Sequence, residues 1–240
     1  NVLYITLEMA EERIAERIDA NLLDVTMEDL HDMPKQLYEG KITKLREKTQ
    51  GQLVIKEYPT ASAHSGHFKS LMNELALKKS FRPDVIFIDY LNICASSRFK
   101  GGNISSYFYV KAIAEELRGL AVEFNVPIFS ATQTTRTGYV STDIGLEDTS
   151  ESFGLPATAD FMFALISNEE LEALGQMKVK QLKNRYNDPS INRAFIIGVD
   201  RAKMRLYDVQ QKVGDIVDAN QVDEKEDAYN KFSDFKLWNT

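Results

Sequence analysis

Short apolar runs alternate with amphipathic patterns along most of this chain. Runs of a few apolar residues, rich in Val and Ile, occur at 2–5, 53–55, 85–88 and 126–129. Such runs are typical of strands that are buried on both faces of a parallel sheet. Between them, apolar residues recur at helical spacing around 14–22, 68–75 and 110–124. This order of strands and helices predicts an α/β fold, with a mainly parallel sheet flanked by helices.

The second half of the chain changes to strand-like segments joined by short turns. A strand is predicted at Phe161–Ile166, and further strand character follows at 176–182, 192–199 and 203–207. Short connections favour antiparallel pairing, so we expect these later strands at one edge of the sheet. The pattern indicates one domain over 1–210, followed by an acidic tail over 211–240 with too little periodicity to predict order.

Polar stretches between these elements predict loops and one helical hairpin. Residues 26–50 have the pattern of a polar helical hairpin. The segment 96–106 is rich in Gly, Ser and basic residues, which predicts a mobile loop. The segment 134–150 predicts a long polar loop, and loops of that length are usually functional or disordered.

Composition narrows the class of protein. The 240 residues carry a formal net charge of −7, which argues against coating nucleic acid through overall basicity but leaves room for a local basic loop. The single cysteine, Cys94, is expected to be a buried apolar filler, and its isolation suits a reducing, cytoplasmic location. No apolar run has the length of a membrane span. Because the chain opens on a strand-like run without an initiator methionine, we expect its natural start to lie upstream.

Three of the predicted strands lead into polar side chains with useful chemistry: Glu8, Asp89 and Gln133. The carboxyl ends of parallel strands lie along one edge of a sheet, so these side chains could converge on one site. An acid that holds Mg²⁺, an acid that activates water and an amide that senses a phosphate would together suit phosphoanhydride hydrolysis. The residues alone leave simpler alternatives open. Glu8 could be a first-turn helix acid, Asp89 a cap of the segment that follows it and Gln133 a plain loop residue.

Three motifs, at 6–9, 87–91 and 126–133, occur in the order and approximate spacing of the hexameric replicative DNA helicases of the DnaB type. The chain resembles the bacteriophage form of that family over residues 1–208. The resemblance implies a RecA-like, P-loop NTPase-type ATPase domain that uses ATP and Mg²⁺. It further implies that Glu8 activates water, that Asp89 holds the Mg²⁺ shell and that Gln133 senses the γ-phosphate.

Lys183 and Arg185 resemble the family's Lys-x-Arg pair, in which the arginine acts on the nucleotide of a neighbouring subunit. Residues two apart on a strand point to the same face, so both side chains could reach one phosphate. The alternative is a solvated edge strand with alternating charges. This chain continues with Tyr186-Asn187-Asp188-Pro189, where many bacterial members have Asn-Gly.

DNA contacts are expected on two loops that line the central channel in the family. The candidates are Arg98, Lys100, Arg136, Ser150, Glu151 and Gly154. Gly- and Ser-rich segments supply the donors and the freedom that tracking a single-stranded backbone requires. Ordinary solvated loops are the alternative, and Ser150 stands where bacterial members often carry an arginine.

A phosphate-binding loop of the form Gly-x-x-x-x-Gly-Lys-[Ser/Thr] does not occur in the 240 residues. We expect that loop before Asn1, and we expect the chain by itself to lack ATPase and helicase activity. The resemblance implies a replicative helicase that translocates on single-stranded DNA as a homo-hexamer in the bacterial host. Its expected partners are a primase, a loader and other replisome proteins. A RecA-type recombination ATPase and a non-hydrolysing RecA-like binding module remain alternatives.

Two further features have simpler interpretations. His64 and His67 lie three residues apart without a third ligand nearby in the sequence, so a helix start is favoured over a metal site. The acidic tail contains Phe232, Phe235 and Trp238, which makes it a candidate docking peptide.

Overall fold

A four-stranded parallel sheet holds the first half of the molecule together. The computed structural model describes residues 1–99, 104–134, 145–146, 154–188, 191 and 193–210. The strands are β1 (Val2–Thr6), β2 (Leu53–Glu57), β3 (Val85–Asp89) and β4 (Ile128–Ser130), in the order β2-β1-β3-β4. In the register of the central pair, Thr6 lies opposite Asp89. The predicted parallel α/β arrangement is therefore confirmed.

Helices connect these strands as the apolar spacing predicts. They are α1 (Glu11–Leu23), α2 (Met27–His31), α3 (Lys35–Lys48), α4 (Ser65–Lys79) and α5 (Ser106–Phe124), with a 3₁₀ turn at Leu91–Ile93. One face of the sheet packs against α4 and α5 and forms the core. Its buried side chains include Leu3, Ile5, Ile86, Ile88, Phe68, Met72, Ile113 and Leu117. The polar hairpin predicted at 26–50 is the pair α2 and α3.

A second, antiparallel sheet forms the other half of the fold. The helix α6 (Gly154–Thr158) precedes β5 (Phe161–Ile166), and α7 (Glu169–Ala173) precedes β6 (Gln176–Asn184), β7 (Ala194–Asp200) and β8 (Arg205–Asp208). The strand order is β5-β6-β7-β8. The antiparallel pairing is confirmed. Within the described residues these strands form a sheet of their own with β5. The short helices α6 and α7 were not predicted.

The prediction that β3 and β4 are buried on both faces is wrong. Ile86 and Ile88 are buried on one face, but Phe87 is 37% exposed and Phe129 is 47% exposed on the other. The rings of Tyr4 and Phe87 lie 6.2 Å apart and those of Phe87 and Phe129 lie 5.3 Å apart. These three residues occupy one face because their strands run parallel in register, and they form a row of stacked rings in which Phe87 and Phe129 are exposed and Tyr4 is half-buried.

The hairpin turn between β7 and β8 packs against the junction of α1 and α2. The Asn21 side-chain amide donates to the carbonyl oxygen of Met204 at 2.6 Å. The Met27 backbone N–H donates to the carbonyl oxygen of Ala202 at 2.9 Å. Asp24 pairs with Lys203 at 3.1 Å and with Arg205. Residues about 180 positions apart in the chain therefore join the two halves of the fold.

Candidate functional site

The carboxyl ends of β1, β3 and β4 lie side by side, because these strands are neighbours in the sheet. The Leu7 N–H continues the ladder by donating to the carbonyl oxygen of Asp89 at 2.9 Å. The Ser130 hydroxyl donates to the carbonyl oxygen of Ile88 at 2.8 Å. The structure therefore brings the segments that carry Glu8, Asp89 and Gln133 to one edge of the sheet.

Asp89 is half-buried at the tip of β3 and is oriented by a tyrosine. The Tyr4 hydroxyl donates to Asp89 Oδ2 at 3.0 Å. Burial, and then the charge of Asp89 and this hydrogen bond, raise the pKa of Tyr4 well above its ordinary value. Sequence reasoning missed Tyr4. The available signal was its position two residues before Thr6, the residue that lies opposite Asp89 on the same face.

Glu8 lies in the turn between β1 and α1 and is exposed. The interpretation of Glu8 as a first-turn helix acid is wrong, because α1 begins at Glu11 after Ala10 as its cap. Glu11 takes that place, and its carboxylate accepts from the Glu57 backbone N–H at 2.8 Å and pairs with Lys56. The backbone N–H of Glu57 in particular holds the pKa of Glu11 below its usual value. Glu8 is thus left outside the helix.

Gln133 is exposed just beyond β4, and its side-chain amide donates to the Tyr90 hydroxyl at 3.3 Å. This contact places the amide beside the residue that follows Asp89. The neighbouring Thr132 hydroxyl is buried and makes no hydrogen bond within the described part of the chain. Carboxylate oxygens such as that of Asp89 at the tip of β3 are hard ligands of the kind that Mg²⁺ prefers.

Lys183 lies on β6 and Arg185 follows the last residue of that strand, and both side chains contact the short helix α6. The Lys183 ammonium donates to the carbonyl oxygens of Pro156 and Ala157. Arg185 donates to the same Ala157 oxygen at 3.0 Å. Because β6 lies between β5 and β7, the interpretation as an edge strand is wrong. Burial, and then the charge of Arg185, lower the pKa of Lys183.

Asp160 joins this cluster, and the sequence pattern did not reveal it. Its Oδ1 accepts from Arg185 at 2.8 Å and from Arg118 of α5 at 2.6 Å. Arg118 also donates to the carbonyl oxygen of Thr158 at 2.8 Å. Lys183, Arg185 and Arg118 therefore all contact the carboxyl end of α6. Cations are favourable there because the last carbonyl groups of a helix carry partial negative charge.

The candidate DNA residues divide into two groups. Lys100, Arg136, Ser150 and Glu151 lie outside the described residues. Gly154 is buried as the first residue of α6. Arg98 is 51% exposed and pairs with Glu115 of α5.

The expectation of a mobile loop from Ser96 onward is wrong at its start. Ser96 is buried, and its hydroxyl donates to Glu116 at 2.6 Å. The backbone N–H groups of Ser97 and Arg98 donate to the same carboxylate.

The remaining sequence candidates have structural roles. The His64 side chain accepts from the Gly66 N–H, and His67 Nδ1 accepts from the His64 N–H, so the two imidazoles form the cap of α4. The described residues contain no group of three or more His, Cys, Asp or Glu side chains that could hold a metal. Cys94 is buried as expected, and burial raises the pKa of its thiol to about 12. In the described part of the chain, no helix is long and apolar enough to cross a membrane.

Comparison with known proteins gives consistent matches. Residues 1–203 match the family described as DnaB-like helicase C terminal domain. The DnaB-like replicative helicase of Enterobacteria phage T4 is 44% identical over 239 residues, which cover 96% of this chain and 50% of that protein. The chain thus spans half the length of this relative.

Solved structures show the same fold. The ATPase domain of G40P superposes with a TM-score of 0.71 at 17% identity, covering 87% of this chain and 74% of that one. A DnaB-like replicative helicase, solved in a study of its interactions with primase, gives a TM-score of 0.70 at 17% identity, covering 87% of this chain and 50% of that one. The RecA-like fold and the resemblance drawn from the three motifs are both confirmed. The chain belongs to the family of DnaB-like helicase C-terminal domains.

Proposed function

We propose that this chain is the greater part of the ATPase core of a ring-forming replicative DNA helicase, which couples ATP hydrolysis to translocation on single-stranded DNA. The observation that carries the proposal is the meeting of the Glu8, Asp89 and Gln133 segments at one edge of the parallel sheet. Ligands of open α/β sheets bind at this edge. Family membership supports the assignment.

Each of the three side chains has a distinct chemical role in this proposal. Asp89, which accepts a hydrogen bond from the Tyr4 hydroxyl, would hold the Mg²⁺ shell of ATP. Glu8 is exposed beyond the sheet, where its carboxylate can accept a proton from the attacking water. The Gln133 side-chain amide donates a hydrogen bond to the terminal phosphate. When that phosphate is released, this hydrogen bond is lost. Mg²⁺ held through Asp89 would supply positive charge against the negative charge that develops during phosphoryl transfer.

Lys183 and Arg185 act on the nucleotide of a neighbouring subunit, which requires a ring such as a homo-hexamer. Their contacts with α6 and Asp160 support this role, because they fix both side chains at the end of β6. A planar guanidinium suits the charge of a phosphoryl-transfer transition state. In the assembled protein we further propose contacts with single-stranded DNA, with a primase and with a loader.

A chimera tests the proposal directly. In the T4 DnaB-like replicative helicase, the matched segment is replaced by this chain, and ATP turnover is measured with and without single-stranded DNA. We expect turnover that DNA stimulates, and we expect Glu8→Gln or Asp89→Asn to lower kcat by about 10²-fold or more, because each removes a group that acts in the transition state.

Mixed rings separate action in cis from action in trans. Rings that combine Arg185→Ala subunits with Glu8→Gln subunits should regain part of the turnover, since an intact Arg185 can then face an intact Glu8. Glu12→Gln serves as the control, because Glu12 is an exposed acid of the same junction. A chimera that assembles and binds DNA without hydrolysing ATP would instead support the non-hydrolysing binding module.

A further inference from the structure

The carboxylate of Glu116 on α5 collects donors from two separate segments. The hydroxyls of Ser65 and Ser96 donate to it at 2.8 and 2.6 Å. The Ser97 N–H donates to both oxygens at 3.0 and 2.9 Å, and the Arg98 N–H donates at 3.3 Å. Most of these donors belong to the start of the loop that carries Arg98, so one acid of α5 fixes that backbone.

The charge on Glu116 is maintained by these same contacts. Burial alone would raise the pKa of Glu116, but the hydrogen bonds from Ser96, Ser97 and Ser65 outweigh it and hold the pKa below its usual value. An ionised carboxylate only accepts hydrogen bonds, and it binds N–H and O–H donors more strongly than a neutral group does. Glu116 therefore acts as a permanent anchor at neutral pH.

The preceding residue, Glu115, has a different set of partners. Its carboxylate pairs with the Arg98 guanidinium and lies 3.9 Å from the Lys111 ammonium. All three side chains are between 37% and 51% exposed. A pair this exposed is weak and readily exchanged for another anion.

These side chains line an open cleft of about 590 Å³ between the loop and the amino-terminal half of α5. Phe99 and Phe108 also line it, and Phe108 is 59% exposed. Cations that track phosphates beside aromatic rings that stack on bases are the combination that binds single-stranded nucleic acid. Glu115 is the acid among the described residues that line this cleft, and its negative charge would repel a phosphate there.

We propose that two adjacent acids of α5 have opposite effects on DNA binding: Glu116 is a positioning residue that holds the Arg98 backbone at the cleft, and Glu115 is a counter-charge that a DNA phosphate displaces from Arg98. This inference rests on the proposed function, because it assigns the cleft to single-stranded DNA. It adds residues on the helix to a contact that the sequence placed on the loop alone.

Glu115→Gln and Glu116→Gln make a matched pair, since each removes one negative charge from neighbouring positions. Binding of the 240-residue chain to a labelled oligothymidine of about 16 nucleotides is measured over a range of salt concentrations. Glu115→Gln should tighten binding about threefold at low salt, because the phosphate no longer competes with a carboxylate. It should also steepen the dependence of log K on log salt by up to about 0.7.

Glu116→Gln should instead weaken binding about fivefold, because an amide offers fewer acceptors and sets its own N–H groups against those of Ser97 and Arg98. Hydrogen exchange of the peptide that contains Ser97 and Arg98 should accelerate at the same time. Ser65→Ala is the control, since it removes one bond to the same carboxylate without touching the loop. Glu123→Gln, on the same helix and paired with Lys69, controls for charge alone.

The outcomes distinguish this inference from the proposed function. Equal tightening in both glutamine variants would mean that net charge governs binding, and it would overturn the opposite roles. Faster hydrogen exchange in Glu116→Gln with unchanged affinity for the oligonucleotide would mean that Glu116 only stabilises the loop, and it would overturn the positioning role. If Glu116→Gln fails to fold, Ser96→Ala replaces it, with about half the expected loss of affinity. Failure of the unsubstituted chain to bind the oligonucleotide would overturn the DNA assignment on which the inference rests.

Discussion

Tyr4 is a side chain whose importance follows from one contact. Its half-buried ring stacks against the exposed ring of Phe87, and its hydroxyl donates to Asp89 at 3.0 Å. The apolar ring packs along the face of the strand, and the polar hydroxyl reaches a hydrogen-bond partner at the edge of the sheet. Tyr4 thereby links the open sheet face to the acid that we propose for Mg²⁺.

Tyr4→Phe should lower the free energy of unfolding by about 1 kcal/mol at neutral pH, since it keeps the ring and removes one hydrogen bond. The raised pKa of Tyr4 also predicts a pH effect. Its protonated form stabilises the fold fully below about pH 10, the ordinary tyrosine value, and that contribution is lost as the pH rises further. Urea unfolding between about pH 9 and 11 should show a steeper decline for the unsubstituted chain than for Tyr4→Phe.

Tyr38 provides the comparison, because its hydrogen bond to Asp19 and then its burial raise its pKa to about 12. The contribution of Tyr38 to the free energy of unfolding is present in the unsubstituted chain and in Tyr4→Phe, so it cancels when the two are compared. Parallel stability curves for the unsubstituted chain and Tyr4→Phe would show that neither the burial of the Tyr4 hydroxyl nor its contact with Asp89 persists in solution.

At the scale of elements, the start of α4 shows how local chemistry sets a boundary. His64 Nδ1 accepts from the Gly66 N–H at 3.0 Å, and His67 Nδ1 accepts from the His64 N–H at 3.2 Å. Two of the amide groups that a helix start leaves unsatisfied are thereby paired. The helix start predicted from this histidine pair is confirmed, and the two rings lie 4.0 Å apart because both turn back over the first turn.

His64→Ala should destabilise the chain by about 1 kcal/mol, the usual cost of removing a cap side chain. His64→Asn should retain most of the stability, because a side-chain oxygen can accept from the same amide. Thermal or urea unfolding provides the measurement. His31→Gln is the matched control, since His31 is exposed at the end of α2 and caps no helix start. An equal loss in His64→Asn would indicate that packing of the imidazole, not capping, matters.

At the scale of the whole molecule, the α1–α2 junction and the β7–β8 turn tie the first sheet to the second. Asn21 and Asp24 contact the turn at Met204, Lys203 and Arg205. The turn is rich in basic residues and would otherwise be open to solvent and proteases. Its docking therefore depends on residues that lie far away in the chain.

Replacing both Asn21 by Ala and Asp24 by Asn should accelerate tryptic cleavage after Arg201 and Lys203 by roughly threefold or more, because local opening of the turn costs less free energy. Mass spectrometry of timed digests gives the cleavage sites. Asp32→Asn, an exposed acid at the end of α2, should leave the rate unchanged. Cleavage of the double variant at the unsubstituted rate would mean that the turn is held by its own strands alone.

The sequence by itself determined the order of the strands and of the longer helices, and the sheet edge at which the segments of Glu8, Asp89 and Gln133 meet. The spacing of apolar residues and the length of apolar runs indicate local secondary structure. The carboxyl ends of parallel strands lie along one edge in any such sheet.

The tertiary structure alone decided which faces are covered and which charges meet. Nothing in the run at β3 distinguishes the exposed Phe87 from the buried Ile86, because exposure depends on what packs above the strand. Glu116 lies 20 residues after Ser96, and Asp160 lies 42 residues after Arg118, yet each pair is bonded. Such contacts arise from packing between elements, and no local periodicity encodes them.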